Sequence, residues 1–189
     1  MAPDRSLEMA AAALAAFVAL LLARAALHKA TDPVRFEGVL ADYRLAPEAA
    51  LPILRGAIPL VEATCALALV LPASRSAGGL AASGLLLIYA AAMGINLARG
   101  RRDIDCGCGG APERLGWTLV LRNLAFVAAL APAITGMGAA LGVAGTLAAW
   151  IPALFALLAF GALEQLLANQ ARMTGDRRSL LTSAFGGGA

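Results

Sequence analysis

Five apolar runs, each about as long as a membrane crossing, alternate with short polar connections along this chain: 9–27, 51–71, 80–98, 117–135 and 139–168. A helix needs about 20 predominantly apolar residues to cross the hydrocarbon core of a bilayer. In lipid every backbone N–H and C=O must be satisfied within the protein, which an isolated run achieves only as a helix. The pattern therefore predicts an all-α integral membrane protein, a bundle of four to five transmembrane helices forming a single membrane domain over 1–189.

The breaks between runs carry their own expectations. In 28–50 the apolar residues Phe36, Val39, Leu40 and Tyr43 fall at i, i+3, i+4 and i+7, one face of a helix. This predicts a short interfacial helix after the first span, with Tyr43 at headgroup depth, placed to cap the bundle above the loop at 99–116. Residues 72–79 read as a tight polar turn, and Pro152 as a break in the last run. Gly138 and Gly142 form a Gly-x-x-x-Gly pair suited to close helix approach, and 169–189 reads as a frayed polar tail. The first run reads as a retained anchor, because Arg24, His28 and Lys29 fall where small residues would mark a signal-peptide cleavage site.

Composition agrees with the pattern. The chain is 60% hydrophobic and 14% charged, whereas a soluble domain is about half apolar and a quarter charged. Membrane lipid is thus its first partner. The net charge of +3 is small and the basic residues gather in connections, so nothing resembles the basic stripe of a nucleic-acid binder.

A few polar groups lie inside the apolar runs, where they are expensive and face the bundle interior. Glu62 in the second run shares a helical face with Arg55, seven residues earlier; it reads either as a structural charge neutralised by Arg55 or Arg122, or as a proton-carrying group. Cys65, one turn on, reads as a small core residue. Arg122 and Asn123 sit one turn inside the fourth run, Arg122 as a paired or snorkelling cation or as a contact for substrate or quinone.

Reactive side chains, charge and flexible backbone coincide only at 99–116. Cys106 and Cys108 are separated by Gly107 alone, and a disulfide across so small a ring would be strained and easily reduced, which suits electron exchange better than stapling. Arg101 and Arg102 favour the thiolate, while Asp103 and Asp105 oppose it. A zinc site is the competing reading, but zinc usually takes four ligands and the chain offers only Cys65 and His28 besides. We therefore expect no metal. A pair of inert cysteines in a turn is the other alternative.

With five spans, thirteen of the fifteen Lys and Arg fall on the side of the cysteine loop, leaving Arg5 and Arg75 opposite. The positive-inside rule then puts the loop in the cytoplasm. Disulfides persist in oxidising compartments, which pulls the other way.

The order His28-Lys29, Asp32-Pro33, Phe36, Leu40, Tyr43-Arg44-Leu45, Pro47, Pro59-x-x-Glu62, Asn96-Leu-x-Arg99 through Asp105-Cys106-Gly107-Cys108, and Arg122-Asn123 resembles the MauE family of methylamine-utilisation membrane proteins. The resemblance covers most of the chain, and the Asp-Cys-Gly-Cys block is its most specific part; Gly109 departs from a position where the family often has Phe. The family is grouped with DoxX-like redox-associated membrane proteins. Its members are associated with maturation of disulfide-rich methylamine dehydrogenase alongside a thioredoxin-like partner.

Together these readings lead to a plasma-membrane thiol-disulfide protein in which Cys106 and Cys108 exchange with a thioredoxin-like protein, supported by Glu62, Arg101, Arg102, Arg122 and Asn123. A quinone is the candidate electron acceptor. Two alternatives stand beside it. One is a non-enzymatic subunit or assembly factor of a larger membrane or dehydrogenase complex; the other is a small-solute carrier using Glu62 as a proton site.

Overall fold

A computed structural model describes residues 4–107, 113–138 and 141–185, with side chains placed throughout except at 143, 167, 168 and 171–185. Six α-helices account for most of it: α1 (Arg5–Thr31), α2 (Pro33–Tyr43), α3 (Leu51–Val70), α4 (Arg75–Ala98), α5 (Trp117–Ile134) and α6 (Gly142–Phe185). Five of them are long and apolar enough to cross a membrane, α2 being the exception. The chain is a multi-pass α-helical membrane protein. The described residues contain no strand, only one isolated antiparallel bridge between Asp105 and Arg114.

α1 is the central helix, packed against α3, α5 and α6, while α4 packs on α3 and α5. Its buried face is largely alanine: Ala11, Ala12, Ala15, Ala16 and Ala19 all lie in the core, which lets neighbouring backbones approach closely. Phe17, Phe126 and Phe160 meet edge to face, with ring centroids 5.9–6.1 Å apart, and tie α1, α5 and α6 together. Polar ends extend α1 beyond its apolar run, since Asp4 caps the first turn by accepting from the Ser6 N–H at 3.2 Å.

Several expectations from the pattern are corrected. Only Pro72–Ser74 forms the turn before α4, because Gly78 and Gly79 are packing contacts. A Cβ on Gly78 would lie 2.7–2.9 Å from Ala68 and Leu69 atoms of α3, and one on Gly79 would be 3.1 Å from Ile134 of α5. Gly138 and Gly142 have φ of +80° and +65°, so they turn the chain between α5 and α6 and present no shared helical face. Pro152 does not break α6, which runs through it and on to Phe185, carrying the helix into the region expected to fray. Residues 153–172, mostly Ala, Leu, Gln and Glu, are strong helix formers.

α2 follows α1 after a one-residue break at Asp32. The Asp32 side chain accepts from the Arg35 N–H, and Pro33 opens the helix, so stop and start signals stand side by side. The apolar face of α2 turns inward over the bundle: Phe36 is buried, and Val39, Leu40 and Tyr43 line the cavity described next.

Candidate functional site: a buried charge beneath the cysteine loop

The base of the cysteine loop is a small backbone clasp. Leu115 donates to the Ile104 carbonyl at 3.1 Å and Cys106 to the Glu113 carbonyl at 3.0 Å, with Ile104 and Leu115 buried as apolar anchors. Cys106 is half-buried, packed with Tyr43 and Tyr89 against the core around Met93, Leu97 and Leu119. Cys108 lies outside the described residues, as does Gly109.

α2 holds the loop from above. The Tyr43 hydroxyl donates to the Cys106 carbonyl at 3.2 Å. Gly107 has φ +68°, and a Cβ there would come within 3.0 Å of Val39 Cγ1. Both the backbone conformation and the contact with α2 therefore call for glycine between the two cysteines.

Of the loop arginines, Arg101 is engaged within the fold. Arg101 donates to Asn96 Oδ1 at 2.8 Å and to the carbonyls of Asp42 and Tyr43 at 2.6 and 3.3 Å, so it fastens the end of α2 to the end of α4. Asn96 is fully buried and is held there by this bond and by its own to the Ala92 carbonyl. Arg102 is exposed. Arg35 of α2 reaches Asp105 at 3.0 Å.

Below the loop lies a cavity of about 350 Å³, lined on one side by Phe36, Val39, Leu40, Tyr43, Cys106 and Gly107, and deeper by Lys29, Glu62, Leu86 and Tyr89. Glu62 is fully buried. Its Oε1 accepts from Lys29 Nζ at 2.6 Å and from the Tyr89 hydroxyl at 2.8 Å, while among the described residues its Oε2 has no hydrogen-bond partner. An unsatisfied buried polar atom costs about 1–3 kcal/mol. Lys29 also stands 5.4 Å from the Phe36 ring centroid and 5.7 Å from that of Tyr89, a cation between two aromatic faces.

This corrects the expected partner of Glu62, which is neither Arg55 nor Arg122. Arg55 pairs with Glu37 at 2.7 Å. Arg122 bridges Glu113 and Glu164 at 3.3 and 3.1 Å, and Arg24 meets Glu164 at 3.1 Å, so Glu164 joins α1, α5 and α6 on the wall of the cavity. Asn123, also on that wall, is buried and donates to the Leu119 carbonyl at 2.9 Å. Cys65 is buried in the core one turn from Glu62. Among the described residues no three His, Cys, Asp or Glu side chains gather in a way that could hold a metal ion.

Lys29 and Tyr89 are the site residues that sequence reasoning passed over. In sequence Lys29 reads as a flank of the first run, although Val18, Leu22, Ala25 and Lys29 fall at i, i+4, i+7 and i+11, the buried stripe of α1. A tyrosine amid an apolar run, away from the interfaces where it is enriched, was the corresponding signal for Tyr89.

The chain is similar to several curated relatives. It is 42% identical over 130 residues to the methylamine utilization protein MauE of Paracoccus denitrificans, covering 68% of this chain and 70% of the relative. It is 38% identical over 130 residues to that of Methylophilus methylotrophus (64% and 68%) and 37% identical over 140 residues to that of Methylorubrum extorquens (68% and 75%). No solved structure matches it. The family described as methylamine utilisation protein MauE matches residues 7–137, from the start of α1 through α5 and including the cavity's Lys29, Glu62, Tyr89 and Cys106, and the chain belongs to that family.

Proposed function

We propose that this protein is a plasma-membrane thiol-disulfide exchange protein that supports maturation of a disulfide-containing partner in methylamine utilisation, with a thioredoxin-like protein as its immediate partner. The observation that carries the reading is the seating of Cys106. It is half-buried on the wall of a cavity, held by its own backbone and by Tyr43, and followed by Gly107 in the left-handed conformation, φ +68°, that glycine adopts without strain.

In the exchange a thiolate of the partner attacks one sulfur of the Cys106–Cys108 disulfide. That S–S bond breaks, a mixed disulfide forms, and the released thiolate takes a proton. The partner's second thiolate then attacks the mixed disulfide, leaving the partner oxidised and Cys106 and Cys108 as thiols. Glu62, Arg122 and Asn123 line the same cavity as Cys106, Arg101 holds the loop on α2, and Arg102 supplies exposed positive charge in the loop.

The loop faces the cytoplasm by the positive-inside count. Among the described residues on that side Arg24, Lys29, Arg35, Arg55, Arg114 and Arg122 are committed to ion pairs. With those six set aside, Arg44, Arg99, Arg101, Arg102, Arg172, Arg177 and Arg178 still outnumber Arg5 and Arg75.

The exchange is tested by co-expressing the full chain carrying Cys108→Ser with the thioredoxin-like partner and quenching in acid. A covalent adduct that is lost on reduction supports exchange. No adduct from either single cysteine variant assigns the chain instead to a non-enzymatic assembly role.

A further inference from the structure

One stripe of α2 meets three consecutive residues of the cysteine loop. Arg35, Val39 and Tyr43 fall at i, i+4 and i+8, on one face of the helix. Arg35 Nη2 donates to Asp105 Oδ2 at 3.0 Å, the Tyr43 hydroxyl donates to the Cys106 carbonyl at 3.2 Å, and Val39 Cγ1 would stand 3.0 Å from a Cβ on Gly107. Of the three loop residues, Asp105 alone meets α2 with a charged side chain. Its other oxygen, Oδ1, accepts from the Gly107 N–H at 3.3 Å, an aspartate bonded to the backbone two residues on. The ring closed by that bond contains the Cys106 backbone.

Charge gives this arrangement its consequence. A carboxylate beside Cys106 opposes its thiolate, unless an opposite charge sits on the same carboxylate. Arg35 supplies that charge. The other ionic groups around the loop are engaged elsewhere. Lys29 of α1 and Glu62 of α3 pair with each other, and the Tyr89 hydroxyl of α4 donates to the same carboxylate oxygen. Arg122 of α5 bridges Glu113 of the clasp and Glu164 of α6, while Asp103 and Arg114 pair with each other. Arg101 is bonded to Asn96 and to the carbonyls that end α2, and Arg102 is exposed. The Arg35 and Asp105 side chains are 44% and 26% exposed, and an ion pair so open to water contributes little to stability. Its removal should leave the fold intact, so the charge itself can be tested.

We infer that Asp105 is a positioning residue for Cys106: one carboxylate oxygen holds the Cys106–Gly107 turn, and Arg35 of α2 neutralises the charge that would otherwise suppress the Cys106 thiolate. The inference rests on the exchange reading above, in which Cys106 reacts as a thiolate.

The test is the rate at which iodoacetamide alkylates Cys106, measured against pH on the purified full chain in detergent, with Cys65→Ala and Cys108→Ser leaving Cys106 as its one thiol. Access sets the plateau of that profile and local charge sets its midpoint, so loosened packing alone would not move the midpoint. Arg35→Gln should raise the midpoint, slowing alkylation near neutral pH about threefold once solvent screening is allowed for. Asp105→Asn keeps an oxygen for the Gly107 N–H and leaves the Arg35 charge unopposed, so it should lower the midpoint. The double variant and Arg35→Lys should both return close to the parent profile. Should Asp105→Asn fail to fold, Arg35→Gln and Arg35→Lys carry the test. A midpoint unmoved by Arg35→Gln, or raised as far by Arg35→Lys, overturns the inference. Because alkylation needs no protein partner, the two readings fail separately. Midpoints that move as expected in a chain that never forms the partner adduct remove exchange and keep the role of Asp105, whereas adduct formation with unmoved midpoints keeps exchange and removes that role.

Discussion

Lys29 Nζ lies 2.6 Å from Glu62 Oε1, and both side chains are almost entirely buried in the bundle. Taking two charges out of water is costly, and the pair's attraction offsets that cost only while both partners are present. Tyr89 adds a second donor to the same carboxylate oxygen.

Lys29→Met alone should therefore lower stability by about 3–5 kcal/mol, since it leaves a buried carboxylate without its countercharge. Lys29→Met with Glu62→Leu should recover most of that loss, and the interaction term from the double-mutant cycle should be large. Thermal unfolding in detergent measures all three variants. A single variant as stable as wild type would show that the pair contributes nothing to the fold. A folded double variant without exchange activity would assign the pair to the site's chemistry.

The bundle was legible from the chain because lipid demands long apolar helices, and that demand is written into nearly every residue of the five runs. The polar interior was legible only in part. Glu62 stands out as an acid amid Leu, Val and Ala, but its partner lies 33 residues away on α1, and pairing across helices depends on their rotation about their axes. Arg55 shares a face with Glu62 in sequence, yet Glu37 of α2 takes it, because α2 folds back over the start of α3. Gly78 and Gly79 read as part of a turn because glycine serves both turns and close packing, and only the neighbouring backbones of α3 and α5 decide which.

Gly107→Ala should displace the loop from α2. Alanine at φ +68° costs about 1–2 kcal/mol relative to an ordinary conformation, and its methyl would press on Val39 Cγ1 at 3.0 Å. Cys106 should then react faster with a small alkylating reagent than in wild type. Adding Val39→Ala should return part of the difference by removing the steric contact and leaving the backbone strain. An alkylation rate unchanged by Gly107→Ala would mean that the glycine conformation does not seat Cys106.

The side of the membrane can be read with a membrane-impermeant maleimide on reduced protein carrying Cys65→Ala. The positive-inside count predicts that Cys106 and Cys108 are labelled only after cells are permeabilised. Labelling in intact cells would reverse the orientation and place the pair in the compartment where disulfides persist.

The central claim is that Cys106 and Cys108 change oxidation state as a pair. Cells expressing the full chain with Cys65→Ala are quenched in acid and alkylated with a mass-adding maleimide, with and without the thioredoxin-like partner. The account predicts a mixture of doubly tagged and untagged chains whose proportions shift when the partner is removed. A pair that stays in one state with and without the partner would contradict it.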